Sequence, residues 1–237
     1  MGIGLGPVAR IVDYDPRWPR RFKEEKARIL AAIGPWARSV EHVGSTAIPG
    51  LAAKPIIDIL VGLRSLEDAK ECITRLEAIG YEYIPEYEAI RPERRYFRKG
   101  PTESRTHHLH MVETSSGFFR KHILFRDYLR AHPADARRYE DLKRALAQEH
   151  EFNRDAYTEG KTEYVESVLA KAAHRRHAKR LSGRPPSERR MWNQEARLRQ
   201  WFYGLSPGRR LEVALEFERF RREAWIVRSR GRARSSK

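Results

Sequence analysis

The sequence predicts an α+β domain over residues 1–173, a small mixed or antiparallel sheet with flanking helices and a helical cap. A separate basic α-helical extension follows over 174–237. Three observations carry this reading. Apolar runs with period-2 alternation crowd the first half of the chain, and from Ser116 onward apolar residues recur at helical spacing. Charge is also uneven. Residues 174–237 hold 19 Lys and Arg against 6 Glu, whereas 1–173 hold 29 against 26 Asp and Glu, for +16 overall. Such concentration points to a module with its own partner.

In chain order, 8–15 reads as a short strand, and Asp15-Pro16 resembles a helix start. Phe22, Ala27, Ile29, Leu30 and Ile33 recur at amphipathic spacing and predict a helix over 18–33, ended by Gly34-Pro35. Strands follow at 39–43 and 55–62. A second helix over 66–79 is closed by Gly80. A short strand at 81–85 precedes an antiparallel pair, 94–99 with 107–113, joined by the polar loop 100–106. Helices are predicted at 117–131, 134–151 and 161–180. Gly183-Arg184-Pro185-Pro186-Ser187 reads as a linker before helices at 187–203 and 207–227, and Arg228–Lys237 as a disordered basic end.

The single cysteine, Cys72, excludes an intrachain disulfide and a cysteine-based zinc site. No run reaches the ~20 apolar residues of a membrane span, and the first residues lack a signal-peptide pattern. A cytoplasmic protein with no membrane partner is therefore expected.

The most informative stretch runs from Glu41 to Val61. An apolar run closes in Gly44-Ser45-Thr46, and a second, Ile56 to Val61, is interrupted by Asp58. Glycine admits close backbone approach, and successive N–H groups with two hydroxyls can cradle phosphate oxygens. A carboxylate among aliphatics is costly unless it is paired or binds a cation. The combination suggests a metal-dependent phosphate site, although Gly44-Ser45-Thr46 also suits an ordinary tight turn. By alternation Glu41 shares a face with Val43. It would supply a second carboxylate or orient Lys54 or an arginine. His108 and His110 share a strand face as metal ligands, a general base or polar core residues. Arg95, Phe97 and Lys99 occupy one face of their strand, and Arg94, Tyr96 and Arg98 the other. They read as phosphate-binding arginines or as a solvated face.

The segment Val43-Gly44-Ser45 with Asp58 resembles the signature of the GrpB family, a branch of the nucleotidyltransferase superfamily with the DNA polymerase beta-like fold. The resemblance continues through Arg95-Tyr96-Phe97-Arg98-Lys99-Gly100, His108-Leu109-His110, Phe125-Arg126-Asp127-Tyr128-Leu129 and Tyr164-Val165. It spans residues 8–173. The superfamily usually places two acids two residues apart, whereas Ile56 and Leu60 flank Asp58 here. The resemblance implies nucleotidyl transfer from an NTP to a small-molecule acceptor, with a divalent cofactor, Mg or Mn. Asp58, Glu41 and His110 become the candidate catalytic residues, and Asp58, Glu41, His108 and His110 the metal ligands. Gly44, Ser45, Thr46, Lys54, Arg95, Lys143 and Lys161 become the phosphate-binding set, although simple i,i+4 salt bridges also account for Lys143 and Lys161. The missing acid grounds the alternative, an inactive nucleotide- or RNA-binding adaptor.

In the extension, arginines interleave with Trp192, Trp201, Phe202, Tyr203, Phe217, Phe220 and Trp225, a pattern suited to RNA or another acidic partner. Leu198, Trp201, Phe202, Leu205, Leu211, Ala214, Leu215 and Phe217 also recur at helical spacing, as in a packed hairpin or a homodimer contact.

Overall fold

The computed structural model describes residues 10–181, with side chains to Arg176. Described residues as far as His174 belong to one compact unit. The helices predicted at 187–203 and 207–227, and the basic end beyond them, lie outside the described residues.

Helix α1 spans Trp18–Ile33. Pro19 pre-sets its first turn, and Asp15 accepts a bond from the Arg17 backbone N–H just before it (2.8 Å). It buries Trp18, Ile29 and Ile33. Five strands follow: β1 (Ala37–Val43), β2 (Ile57–Leu63), β3 (Tyr81–Tyr83), β4 (Arg95–Lys99) and β5 (His107–Glu113). Helix α2 (Ala69–Glu77) intervenes between β2 and β3. The strands form one mixed sheet in the order β1-β2-β5-β4-β3, in which only the β2–β5 pair is parallel.

Register then assigns the faces. Ile57, Ile59, Val61, Leu109, Met111 and Phe97 point to one side and bury with Trp18, Ile29, Ile33 and Leu76 of α1 and α2. Val43, Leu60 and Val112 point to the other, where Phe118, Phe119 and Ile123 of α3 (Gly117–Ala131) cover them. Asp58 lies opposite Val43 and His108, so it belongs to this second, cap-facing side. The cap continues with α4 (Pro133–Glu149), α5 (Arg154–Glu159) and α6 (Thr162–Leu181).

Three details differ from expectation. Of the strand expected over 8–15, the described residues from 10 onward make only an isolated bridge, Val12 with Ala53, because Asp13 and Asp15-Pro16 give the pairing nowhere to extend. The helix expected over 66–79 opens as a 3-10 turn, Leu66–Asp68, under a Ser65 cap. Helix α5 was not foreseen, because six residues are too few to show a period. Its start is fixed locally, the Asn153 side chain accepting from the Ala156 N–H (3.0 Å). Among the described residues no helix is long and apolar enough to cross a membrane.

Candidate functional site

Strand β1 ends at Val43 and turns at Gly44, whose φ of +69° and ψ of −173° lie in a region closed to side-chain-bearing residues. A 3-10 turn, Ser45–Ala47, follows at once. The turn lies directly against Asp58, since a Cβ at position 44 would stand 2.3 Å from Asp58 Oδ2. His108 Nδ1 lies 3.3 Å from Asp58 Oδ1. Burial pushes the Asp58 carboxyl up, but the His108 hydrogen bond and the nearby imidazoles outweigh it and hold the group below the usual carboxylate range.

The hydroxyls of the turn have separate tasks. Thr46 donates to the Ile56 carbonyl (3.2 Å) and lies 3.0 Å from His42 Nε2. Because Thr46 uses its hydrogen on Ile56, His42 must donate from Nε2, which assigns its tautomer. Thr46 thereby pins the turn to the start of β2. Ser45 faces the Tyr139 phenol of α4.

Three lysines converge on the same cleft of about 220 Å³, which Gly44, Ser45, Thr46, Asp58 and His108 also line. Lys54 Nζ stands 4.5 Å from the centre of the Tyr157 ring, and Lys161 Nζ 4.0 Å. Burial lowers both ammonium groups, Lys161 to about 8. Lys143 is 2% exposed and donates to the Ala52 carbonyl. Burial brings it down to about 7. Phe125, Tyr139 and Tyr157 supply aromatic walls. Lys143→Met should cost about 1–3 kcal/mol, because the buried Ala52 carbonyl loses its donor. Urea denaturation would show this, and an unchanged midpoint would mean that water replaces the ammonium.

Other predicted residues lie elsewhere. Glu41 pairs across the sheet with Leu60, and its carboxylate is taken by Arg126 of α3 (2.7 Å). Arg126 also donates to the His42 carbonyl (3.0 Å) and to Asp127 (2.8 Å), tying α3 to β1. His110 lies one step farther along β5, against Tyr96 and Arg94. Arg95 turns to the Met111 side of the sheet and pairs with Glu88 (3.1 Å). The set Asp58, Glu41, His108 and His110 is thus not one cluster; only Asp58 and His108 are a close pair. Among the described residues no three His, Cys, Asp or Glu side chains are grouped to hold a metal ion. Tyr157 and Phe125 escaped sequence reasoning. Tyr157 lies on the short α5, and Phe125 stands only within the family-like run 125–129, not among the site residues.

Residues 8–171 match the sequence model of the family described as GrpB protein. The chain belongs to the GrpB family. It is 43% identical over 158 residues to UPF0157 protein YqkA of Bacillus subtilis, a match that covers 67% of this chain and 45% of YqkA. It is 40% identical over 191 residues to UPF0157 protein PA4798 of Pseudomonas aeruginosa, covering 79% and 77% of the two chains. The crystal structure of the conserved GrpB protein from Enterococcus faecalis superposes with a TM-score of 0.64 at 38% identity, over 70% of this chain and 98% of that one. The GrpB match takes in the Gly44 turn, Asp58 and the lysine-bearing cap alike.

Proposed function

We propose that this GrpB chain is a metal-dependent nucleotidyltransferase, moving a nucleotidyl group from an NTP to a small-molecule acceptor. One observation carries the reading: Lys54, Lys143 and Lys161 converge with the Gly44 turn on a single carboxylate, Asp58. Three lysines around a small-residue turn suit a chain of phosphates. Lysines held down to about 7 and about 8 would regain their protons as phosphate approaches, so nucleotide binding should take up protons near pH 8. Phe125, packed edge-on against Tyr139 with ring centres 5.3 Å apart, would stack the base.

Asp58 and His108 would hold a divalent ion as an oxygen and nitrogen pair, a set that suits Mn²⁺ better than Mg²⁺, with water and substrate phosphates in the remaining positions. Bound there, Mg²⁺ or Mn²⁺ would polarise the α-phosphate. The protein's own part is positioning. The turn and lysines would align the triphosphate while the acceptor attacks phosphorus and pyrophosphate departs.

Calorimetry with ATP, CTP, GTP and UTP, each with Mg²⁺ or Mn²⁺, tests the reading. At least one pair should bind the wild type, and Asp58→Ala should weaken it at least tenfold. No binding with any pair would sink it. A second reading, a nucleotide- or RNA-binding adaptor without chemistry, is favoured by the engagement of Glu41 with Arg126, which leaves Asp58 the lone carboxylate. Pyrophosphate release would separate the two. RNA or another acidic partner for 174–237 is part of that second reading, and strong salt dependence would mark it. A homodimer built through the same segment is a proposal for light scattering.

A further inference from the structure

Beyond the lysine-lined cleft, the cap-facing side of the sheet carries a second polar group. Arg94 immediately precedes β4, and its guanidinium carbon lies 5.5, 5.1 and 5.6 Å from the ring centres of Tyr87, Tyr96 and Phe118. Its Nη1 is 3.3 Å from His110 Nδ1, and its Nε is buried with no hydrogen-bond partner. No carboxylate among the described residues lies within 4.0 Å of it. The neighbouring arginines differ. Arg95 pairs with Glu88, Arg98 and Arg105 with Glu82, and Arg126 with Glu41.

Ring faces stabilise a cation, but they supply no acceptor in the plane of the guanidinium, where the buried Nε has no hydrogen-bond partner. The guanidinium fork matches an oxyanion bidentately. An arginine can only donate, so His110 Nδ1 accepts from it and Nε2 carries the ring hydrogen. Two donor groups are therefore held side by side with no acid between them.

Their place in the sheet gives them a role. Asp58, His108 and Arg98 form one row across β2, β5 and β4, and Leu60, His110 and Tyr96 form the next. Successive rows on one face are roughly 7 Å apart. Lys54 precedes β2, on the Asp58 side, whereas Arg94 and His110 lie on the Leu60 side. Asp58 stands between the two groups. A bound NTP on the lysine side leaves the Arg94 side for the other reactant.

We propose that Arg94 and His110 form the subsite for an oxyanion, a carboxylate or a phosphate, carried by the small-molecule acceptor. Its role as acceptor site rests on the nucleotidyl-transfer reading; the anion site itself does not.

The test is NMR of the Arg94 Nε–H and the His110 ring in the full chain, titrated with acetate and separately with inorganic phosphate. Calorimetry of ATP with Mg²⁺ runs in parallel. At least one anion should shift both signals saturably. Arg94→Gln should abolish the His110 response, Arg94→Lys should weaken it at least tenfold, and Asp58→Ala should retain it. ATP affinity should stay within twofold of wild type in Arg94→Lys and Arg94→Gln. Saturation by acetate alone assigns a carboxylate acceptor, and by phosphate alone a phosphorylated one. If neither anion saturates, the subsite is overturned. It is equally overturned if both Arg94 variants lose ATP as Asp58→Ala does, because Arg94 then belongs to the nucleotide site. Anion saturation in a wild type that binds no nucleotide would uphold the anion site and overturn nucleotidyl transfer instead.

Discussion

Under the proposed function, Gly44→Ala is expected to reduce metal-dependent nucleotide binding at least tenfold, as Asp58→Ala does, while leaving a folded protein. The backbone at Gly44 has φ +69° and ψ −173°, where a side chain costs about 1–3 kcal/mol. A typical domain has stability enough to survive that loss. The functional cost is separate. The new Cβ would fall 2.3 Å from Asp58 Oδ2 and 3.0 Å from Asp58 Cβ, so either the carboxylate or the turn must move. A displaced Asp58 carboxylate should cost ligand affinity much as its removal in Asp58→Ala does. Gly50 supplies the control. Its φ is also positive, +76°, but a Cβ there meets nothing within 4 Å. Gly50→Ala should therefore lose stability and keep ligand affinity. Calorimetry and urea denaturation on both variants would decide. Equal affinities for Gly44→Ala and wild type would mean that the turn does not set the Asp58 geometry.

Acidification should destabilise the fold well before its carboxylates titrate. His42 is 5% exposed, stacked on Phe22 (ring centres 4.7 Å apart), and burial lowers its pKa from 6.5 to about 4. The unfolded chain takes up a proton near pH 6.5, and the folded chain does so only near 4. Stability is therefore full above 6.5 and falls as pH drops through that window, by about 3 kcal/mol in all. His107, His110 and His122 are lowered by burial as well and act in the same direction. Urea midpoints at pH 7 and pH 4.5 measure the effect. His42→Gln keeps an N–H for Thr46 without the titration, so its midpoint should fall less between the two values. Parallel curves would assign the acid sensitivity to the other histidines.

Much of this protein was legible from local signals. Apolar alternation located β1, β2, β4 and β5, and the 3.6-residue period located α1, α3 and α4, because those patterns are set by which side chains must leave water. The Gly44-Ser45-Thr46 turn and Asp58 were legible as a pair because glycine and a strand acid are each costly without a reason. Helix α5 and the bridge at Val12 were not, since one is too short for a period and the other is a single pairing.

The sequence by itself determined the GrpB resemblance, the α+β class, the turn, the acid, and the lysines as candidates. It also set the faces of each strand, because alternation is a property of the backbone. Only the tertiary structure decided which candidates meet. Strand order put His108 beside Asp58. Docking of α3 gave Glu41 to Arg126, a partner 85 residues away. The cap helices brought Lys143 and Lys161 to the turn, and the start of β4 left Arg94 among rings, with no carboxylate of the described residues within 4.0 Å. Each of these is a pairing across long sequence separation. Ionic and hydrogen-bonding partners are fixed by distances of a few ångströms, which one-dimensional spacing does not contain.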